Sequence, residues 1–165
     1  MSLKNLKTHI LNIFELLRWN KPTGRLILLI PAGWSLYLTP GSNPTIDILI
    51  KITIGGALVS GLGCVANDIW DHKIDQKVVR TKNRPLASNK IAIKMAYFIL
   101  FVLILCSFFL SISLPEKGRA LSIALAFLAL PLILIYPSSK RWFKYPQLIL
   151  SICWGFSVLI PWAAN

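Results

Sequence analysis

Carboxylates gather in one short segment of this chain. The nine residues from 67 to 75 hold three of its six acidic residues and one amide, namely Asn67, Asp68, Asp71 and Asp75. A continuous helix, at about 100° per residue, would set the three carboxylates on one arc of about 60°, with Asn67 beside it. Hard divalent cations prefer oxygen ligands, and Mg²⁺ takes one or two carboxylates together with substrate phosphates. The spacing therefore indicates either a divalent-cation site or a solvated helix end whose acids are offset by nearby lysines and arginines.

A basic segment follows the carboxylates. It reads Arg80-Thr81-Lys82-Asn83-Arg84-Pro85-Leu86-Ala87-Ser88. Arginine presents a planar fork to phosphate oxygens and lysine a mobile point charge, so cations beside a carboxylate-bound metal suit a diphosphate. A loop whose basic residues only orient the chain in a bilayer is the alternative, and the spacing leaves both interpretations open.

The elements that must position these motifs are apolar. Of the 165 residues, 55% are hydrophobic and 15% are charged. A soluble domain has about 25% charged residues, and a chain this apolar would collapse, so a soluble globule and a disordered chain are both excluded. Stretches without any charge cover 26–46, 52–67, 95–115, 120–139 and 145–165. Because an apolar helix of about 20 residues crosses a bilayer, we predict an all-α, multi-pass transmembrane helix bundle of about five helices, in a single domain over 1–165.

Basic residues are distributed unevenly between the predicted loops. Fifteen of the 18 lie in the segments 1–25, 68–94 and 140–144, and two lie in loops of the other side. Positive loops stay in the cytoplasm. We therefore predict a cytoplasmic N-terminal segment over 1–25 and a cytoplasmic motif-bearing loop over 68–94, in a bacterial plasma membrane or an equivalent inner membrane. The net charge of +12 then reflects topology and attraction to membrane lipid, and we predict no nucleic-acid partner.

The charged segments resemble those of a known family. The runs 67–75 and 80–88 are similar to the first aspartate-rich motif and its loop in the UbiA superfamily of membrane prenyltransferases. Tyr136-Pro137-Ser138-Ser139-Lys140-Arg141 looks like the second signature of that superfamily, and Lys21-Pro22-Thr23-Gly24 with Pro31 and Trp34 is similar to the start of its first helix. The sequence of the basic segment looks most like the corresponding segment of 4-hydroxybenzoate polyprenyltransferases.

This resemblance implies a function and a set of site residues. Members use Mg²⁺ to transfer a polyprenyl group from a polyprenyl diphosphate to an aromatic acid, here 4-hydroxybenzoate, in ubiquinone or plastoquinone biosynthesis. Carried over to this chain, Asn67 and Asp71 are direct metal ligands supported by Asp68 and Asp75, and these four residues form the catalytic set. The implied diphosphate-binding residues are Arg80, Lys82, Arg84, Tyr136, Lys140 and Arg141.

One departure from the family pattern bears on activity. The family fold has nine transmembrane helices and a second Asp-x-x-x-Asp motif, whereas this sequence has no acid after Glu116. We therefore expect an N-terminal half that is inactive alone, either a fragment or a half-enzyme for which a second chain supplies the missing motif. A small transporter or channel subunit is an alternative of another class. A transporter would be expected to hold its acids near the bilayer midplane, which disfavours it here.

Overall fold

Helices and the turns that join them make up the described part of the chain. The computed structural model describes the backbone of residues 3–21 and 23–165, and the side chains from Leu6 onward within that part. The helices are α1 (Leu3–Leu16), α2 (Thr23–Leu38), α3 (Ile46–Asp75), α4 (Ile93–Ile112), α5 (Glu116–Ser139) and α6 (Pro146–Ala164). No β-strand occurs among the described residues. The predicted all-α class is confirmed.

Four of these helices, α3 to α6, are long and apolar enough to cross a membrane. The first predicted span, 26–46, corresponds to α2, which is apolar but has only 16 residues and ends at Leu38. The helix stops there because Pro40 disfavours a helical conformation at Thr39, and Gly41 follows with φ 74° in the left-handed region. Absence of charge alone therefore overstated the length of this helix.

The longest helix, α3, carries the carboxylate motif. Thr45 caps its first turn by accepting a hydrogen bond at Oγ1 from the backbone N–H of Ile48, at 3.4 Å. Its 30 residues extend about 45 Å, more than the roughly 30 Å of a hydrocarbon core, so the helix has turns to spare beyond the apolar region. Lys51, inside this helix, pairs with Asp47 at 2.6 Å and donates to the Ser113 carbonyl at 2.7 Å.

The connection between α3 and α4 is shorter and more compact than the predicted loop 68–94. Residues up to Asp75 still belong to α3, and turns fill 76–92. Leu86 is 1% exposed within this segment, and Ile91 is also buried. Both side chains pack into the largest buried apolar cluster together with Leu16 and Val65. The segment is therefore a folded part of the bundle, held by its own apolar side chains.

Small residues allow close approaches between helices. A Cβ atom on Gly56 would lie 2.6 Å from Leu29 Cδ2 on α2, and one on Gly61 would lie 3.1 Å from Leu17 Cδ2. The tightest approach joins α5 and α6, where a Cβ atom on Gly118 would lie 1.8 Å from the Ala163 carbonyl oxygen. Gly118 needs glycine because the obstacle is backbone, whereas at Gly56 and Gly61 the obstacle is the end of a leucine side chain that would have to shift.

Candidate active site

The predicted site residues meet at one end of the bundle, which we call the charged end. It is formed by the last turns of α3, the segment 76–92, the last turns of α5 with the residues that follow them, and the residues that follow α1. Because α3 continues unbroken to Asp75, the carboxylates project from a single rigid helix. Although their spacing keeps them within one arc, their partners divide them into two groups, described next.

The first group lies in a buried ion-pair network, which we call the inner network. Asp68, 2% exposed, accepts at Oδ1 from Arg18 Nη2 at 2.7 Å and from Arg84 Nη1 at 3.1 Å. The same Arg84 nitrogen donates to Asp75 Oδ2 at 2.7 Å. Each of these acids thus has a guanidinium partner, as a buried charge requires. The network ties α1, α3 and the segment 76–92 together.

The second group lies in the outer cluster of Asn67, Asp71, Lys140 and Arg141. The ammonium of Lys140 donates to Asn67 Oδ1 at 2.7 Å and lies 3.6 Å from Asp71 Oδ2. Arg141 Nη2 donates to Asp71 Oδ1 at 3.1 Å and to the Trp70 carbonyl at 2.7 Å. The amide and the carboxylate therefore face one shared cation across the contact between α3 and the end of α5.

Tyr136 belongs to the surroundings of the outer cluster. Its ring lies 5.3 Å from the Lys140 nitrogen, a cation–π distance. The α5 segment that carries it is held against α3 by Trp70, whose Nε1 donates to the Leu134 carbonyl at 3.0 Å. The resemblance placed Tyr136 and Lys140 in one motif, and the fold brings Lys140 to Asn67.

Arg80 and Lys82 stand apart from both groups. They are exposed on the segment 76–92, and neither forms an ion pair with any residue that the structure describes. The adjacent Thr81 is buried and donates from Oγ1 to the Asp75 carbonyl at 3.2 Å, which fixes the backbone between them. Their side chains are free to approach a ligand from solvent.

Arg18 is a member of the site that the motifs did not indicate. It follows α1 and has φ 53°, a left-handed conformation uncommon for residues other than glycine. The sequence signal was slight, since Arg18 is one of five basic residues in 1–25. Its contact with Asp68 joins residues that are 50 positions apart.

The donor set fits a hard cation at the outer cluster better than at the inner network. Asn67 Oδ1 and Asp71 Oδ2 already approach one cation, the Lys140 ammonium, and an amide oxygen with a carboxylate suits Mg²⁺ when phosphate completes the shell. Asp71 also contacts Arg141 but is partly exposed, whereas Asp68 and Asp75 are buried and share Arg84. Among the described residues, no group of three or more His, Cys, Asp or Glu could hold a metal by protein ligands alone.

An apolar cavity lies between the helices, and on α3 its lining residues precede the carboxylates. Its volume is about 440 Å³, and residues of α2 to α6 line it, including Leu29, Leu62, Ile133 and Phe156. Lys51 lines the part of the cavity furthest along α3 from the carboxylates. An apolar chain could be held in this space.

These features define an integral membrane protein, whose described residues form a helical bundle with four helices long and apolar enough to cross a bilayer and a cluster of acids and bases at one end. The chain belongs to the UbiA prenyltransferase family, whose model matches residues 28–164. The family assignment predicted from the runs 67–75 and 80–88 is confirmed.

Curated relatives are named as polyprenyltransferases. The chain is 47% identical over 154 residues to 4-hydroxybenzoate solanesyltransferase of Synechocystis sp., a match that covers 93% of this chain and 51% of the relative. It is 38% identical over 152 residues to 4-hydroxybenzoate octaprenyltransferase of Vibrio atlanticus, covering 92% and 52% respectively. The chain thus spans about half the length of the curated relatives it matches.

Solved structures share the fold. One, described for digeranylgeranylglyceryl phosphate synthase in membranes, superposes with a TM-score of 0.76 at 22% identity and covers 99% of this chain and 54% of its own. The apo structure of a UbiA homolog from Aeropyrum pernix K1 has a TM-score of 0.67 at 24% identity, with 91% and 48% covered. The predicted bundle, resembling part of a larger UbiA fold, is confirmed.

Proposed function

We propose that this chain serves in the Mg²⁺-dependent transfer of a polyprenyl group from a polyprenyl diphosphate to 4-hydroxybenzoate, in quinone biosynthesis. The observation that carries the proposal is the outer cluster, where Asn67 Oδ1 and Asp71 Oδ2 face one cation beside Arg141. Such an arrangement suits a metal-bound diphosphate. The names of the curated relatives support the acceptor and the donor class.

The outer cluster would bind the diphosphate end of the donor. Asn67 and Asp71 would hold Mg²⁺, which when bound offsets the negative charge that builds on the leaving diphosphate. Lys140, now 2.7 Å from Asn67 Oδ1, would release these oxygens and donate to a phosphate oxygen instead. Arg141 would do the same from the other side of Asp71. Arg80 and Lys82, exposed nearby in sequence, would add charge from the solvent side.

The inner network would act through position. Asp68 and Asp75 keep Arg84 against α3, with contacts of 3.1 and 2.7 Å to its Nη1 atom. These contacts hold the segment 76–92 against the turns of α3 that carry the carboxylates. Arg84, implied by resemblance as a diphosphate ligand, would then serve chiefly as a positioning residue. Preorganised charges matter because the site must already be arranged when the C–O bond ionises.

The isoprenoid tail would enter the apolar cavity. Its lining is almost free of polar groups, so the tail leaves water and the allylic cation is shielded from it. Tyr136, within cation–π distance of Lys140, would line the approach between the cavity and the outer cluster. The charged end would face the cytoplasm of a bacterial plasma membrane or an equivalent inner membrane, as the distribution of basic residues predicts.

Complete transfer would need a second group of acids. The curated relatives are about twice as long as the matched region, and a second Asp-x-x-x-Asp motif is expected in the family pattern. A further polypeptide segment, in the same or a second chain, would supply it. The chain itself would provide the first metal site and part of the sheath around the tail.

Calorimetry in detergent tests this proposal. Asp71→Ala should abolish Mg²⁺-dependent binding of a prenyl diphosphate, because removal of one of two protein ligands leaves the bound phosphate charge without a metal. Lys117→Ala is the control, since Lys117 is exposed at the other end of the bundle. Equal binding by the unchanged chain and Asp71→Ala would contradict the proposal and leave the cluster as a solvated helix end.

A further inference from the structure

Helix α1 carries apolar side chains that are left open on its surface. Leu6, Ile10 and Phe14 follow one another at i, i+4 spacing and form one stripe, which we call the α1 stripe. Their exposures are 47%, 47% and 46%. Leu16 and Leu17, which end this part of the chain, are buried in the bundle instead. The helix therefore docks through its C-terminal end and leaves the stripe uncovered by the described residues.

The attachment point fixes the level of α1 along the bundle. Leu17 and Trp19 pack over Gly61 of α3, and Arg18 pairs with Asp68. Gly61 lies within the charge-free stretch 52–67 of α3, and the Arg18–Asp68 contact lies just past the end of that stretch. In an integral membrane protein this is the boundary between the hydrocarbon core and the headgroups. The helix is thus attached at the bilayer surface rather than beyond it.

Aromatic and basic residues around α1 suit that boundary. The Phe14 and Trp19 rings meet edge to face with centroids 5.6 Å apart, and tryptophan is enriched at membrane interfaces. Segment 1–25 carries five basic residues and one acid, Glu15. Lys7 is exposed on α1 itself. An apolar stripe beside an excess of positive charge is complementary to a bilayer that contains anionic lipid.

We propose that α1 lies in the bilayer surface at the charged end, with the α1 stripe inserted among acyl chains and Lys7, which shares the face of Phe14 at i, i+7 spacing, extending its ammonium to anionic headgroups. This inference stands independently of the proposed function. Its consequence is that lipid anchors the segment that delivers Arg18 to Asp68. The helix would therefore fix the inner network relative to the plane of the membrane.

Fluorescence quenching tests the proposal on the full chain. Ile10→Cys, Phe14→Cys and Glu15→Cys are each labelled with the environment-sensitive dye NBD, after alanine has replaced Cys64, Cys106 and Cys153. The proteins are reconstituted into phosphatidylcholine vesicles with or without phosphatidylglycerol. Glu15 is the control because it is exposed on the polar side of α1.

The inserted helix should give blue-shifted emission at Ile10 and Phe14. Spin labels on the upper part of the acyl chains should quench these probes at least about twofold more than the Glu15 probe, since positions about 100–140° apart around a helix about 10 Å wide differ in depth. Quenching should rise with phosphatidylglycerol. Equal quenching at all three positions, or no response to phosphatidylglycerol, would overturn the proposal. Blue-shifted emission without lipid quenching would also overturn it, because a second copy or another polypeptide would then cover the stripe.

Discussion

Arg18 Nη2 lies 2.7 Å from Asp68 Oδ1, although 50 residues separate the two in the chain. Asp68 is 2% exposed, and Arg84 contacts the same oxygen at 3.1 Å. A buried carboxylate requires paired, hydrogen-bonded counter-charges, and Arg18 supplies one of the two. The integrity of the charged end therefore depends on a residue outside the aspartate-rich motif.

Removal of the Asp68 charge should destabilise the fold. Asp68→Asn leaves Arg18 and part of Arg84 without a counter-charge, at a cost of about 3 kcal/mol or more in the free energy of unfolding. Asp47→Asn is the matched control, because Asp47 forms an ion pair with Lys51 but its side chain is 62% exposed, so the cost should be below about 1 kcal/mol. Unfolding in detergent measures both. Equal losses in the free energy of unfolding for the two variants would show that burial of the inner network adds nothing to stability.

Helix packing between α5 and α6 should depend on Gly118. A Cβ atom there would lie 1.8 Å from the Ala163 carbonyl oxygen, so Gly118→Ala must push the two backbones apart and should cost at least about 1–3 kcal/mol.

Gly155→Ala on α6 controls for helix propensity. Nothing lies within 4 Å of a Cβ atom at Gly155, so stability should be unchanged or should rise by up to about 1 kcal/mol. Thermal unfolding of the two variants in the same detergent separates steric exclusion from propensity. A loss of the same size in both would argue against the close contact at Gly118.

Diphosphate binding should distinguish two lysines near the end of α5. Lys140 contacts Asn67 Oδ1 and the Tyr136 ring, whereas Lys144 lies over the Tyr145 ring at 5.4 Å. Lys140→Ala should weaken Mg²⁺-dependent prenyl diphosphate binding about 10-fold or more, because a hydrogen bond to a charged group contributes about 1.5–3 kcal/mol. Lys144→Ala should leave the affinity within about twofold, because salt screens charges that do not contact the bound diphosphate. Comparable losses in both variants would point to general charge attraction.

Topology can be tested by cysteine accessibility in cells. A cysteine at Ser88, exposed at the charged end, should resist an impermeant reagent applied from outside, and a cysteine at Lys117 should react. The physical reason is the excess of basic residues around the charged end, which keeps those loops in the cytoplasm. Labelling at Ser88 from outside would reverse the proposed orientation and with it the side of the membrane on which diphosphate binds.

The chain alone should transfer no prenyl group at a measurable rate. Its outer cluster offers one amide and one carboxylate to a metal, and catalysis of ionisation requires every charge-stabilising group to be held in advance. Co-expression with a polypeptide that carries a second Asp-x-x-x-Asp motif should restore prenylation of 4-hydroxybenzoate. Robust activity of the purified chain by itself would refute this expectation and would point to a homodimer with two outer clusters at one site.

The sequence by itself determined the class of fold and indicated the charged residues of the motifs, but it did not indicate Arg18. Uninterrupted apolar stretches predicted the helices α3 to α6, because lipid leaves few other ways to satisfy a backbone. Helical spacing predicted one arc of about 60° for the three carboxylates, and they do project from one continuous helix, but Asp68 and Asp75 have different partners from Asp71. The end of α2 at Leu38 was missed because counting charges does not register Pro40 and Gly41.

Only the tertiary structure decided which charges meet. Asp68 and Asp75 form ion pairs with Arg84, whereas Asn67 and Asp71 both face Lys140. The local sequence pattern does not predict which partner each residue has. The division arises because α3 presents one face to Arg18 and Arg84 and the next face to the end of α5. Contacts across 50 or 73 residues depend on how whole helices pack. Helix packing depends on side-chain shape throughout the core, as where Leu17 packs on Gly61. A single sequence motif therefore does not predict it.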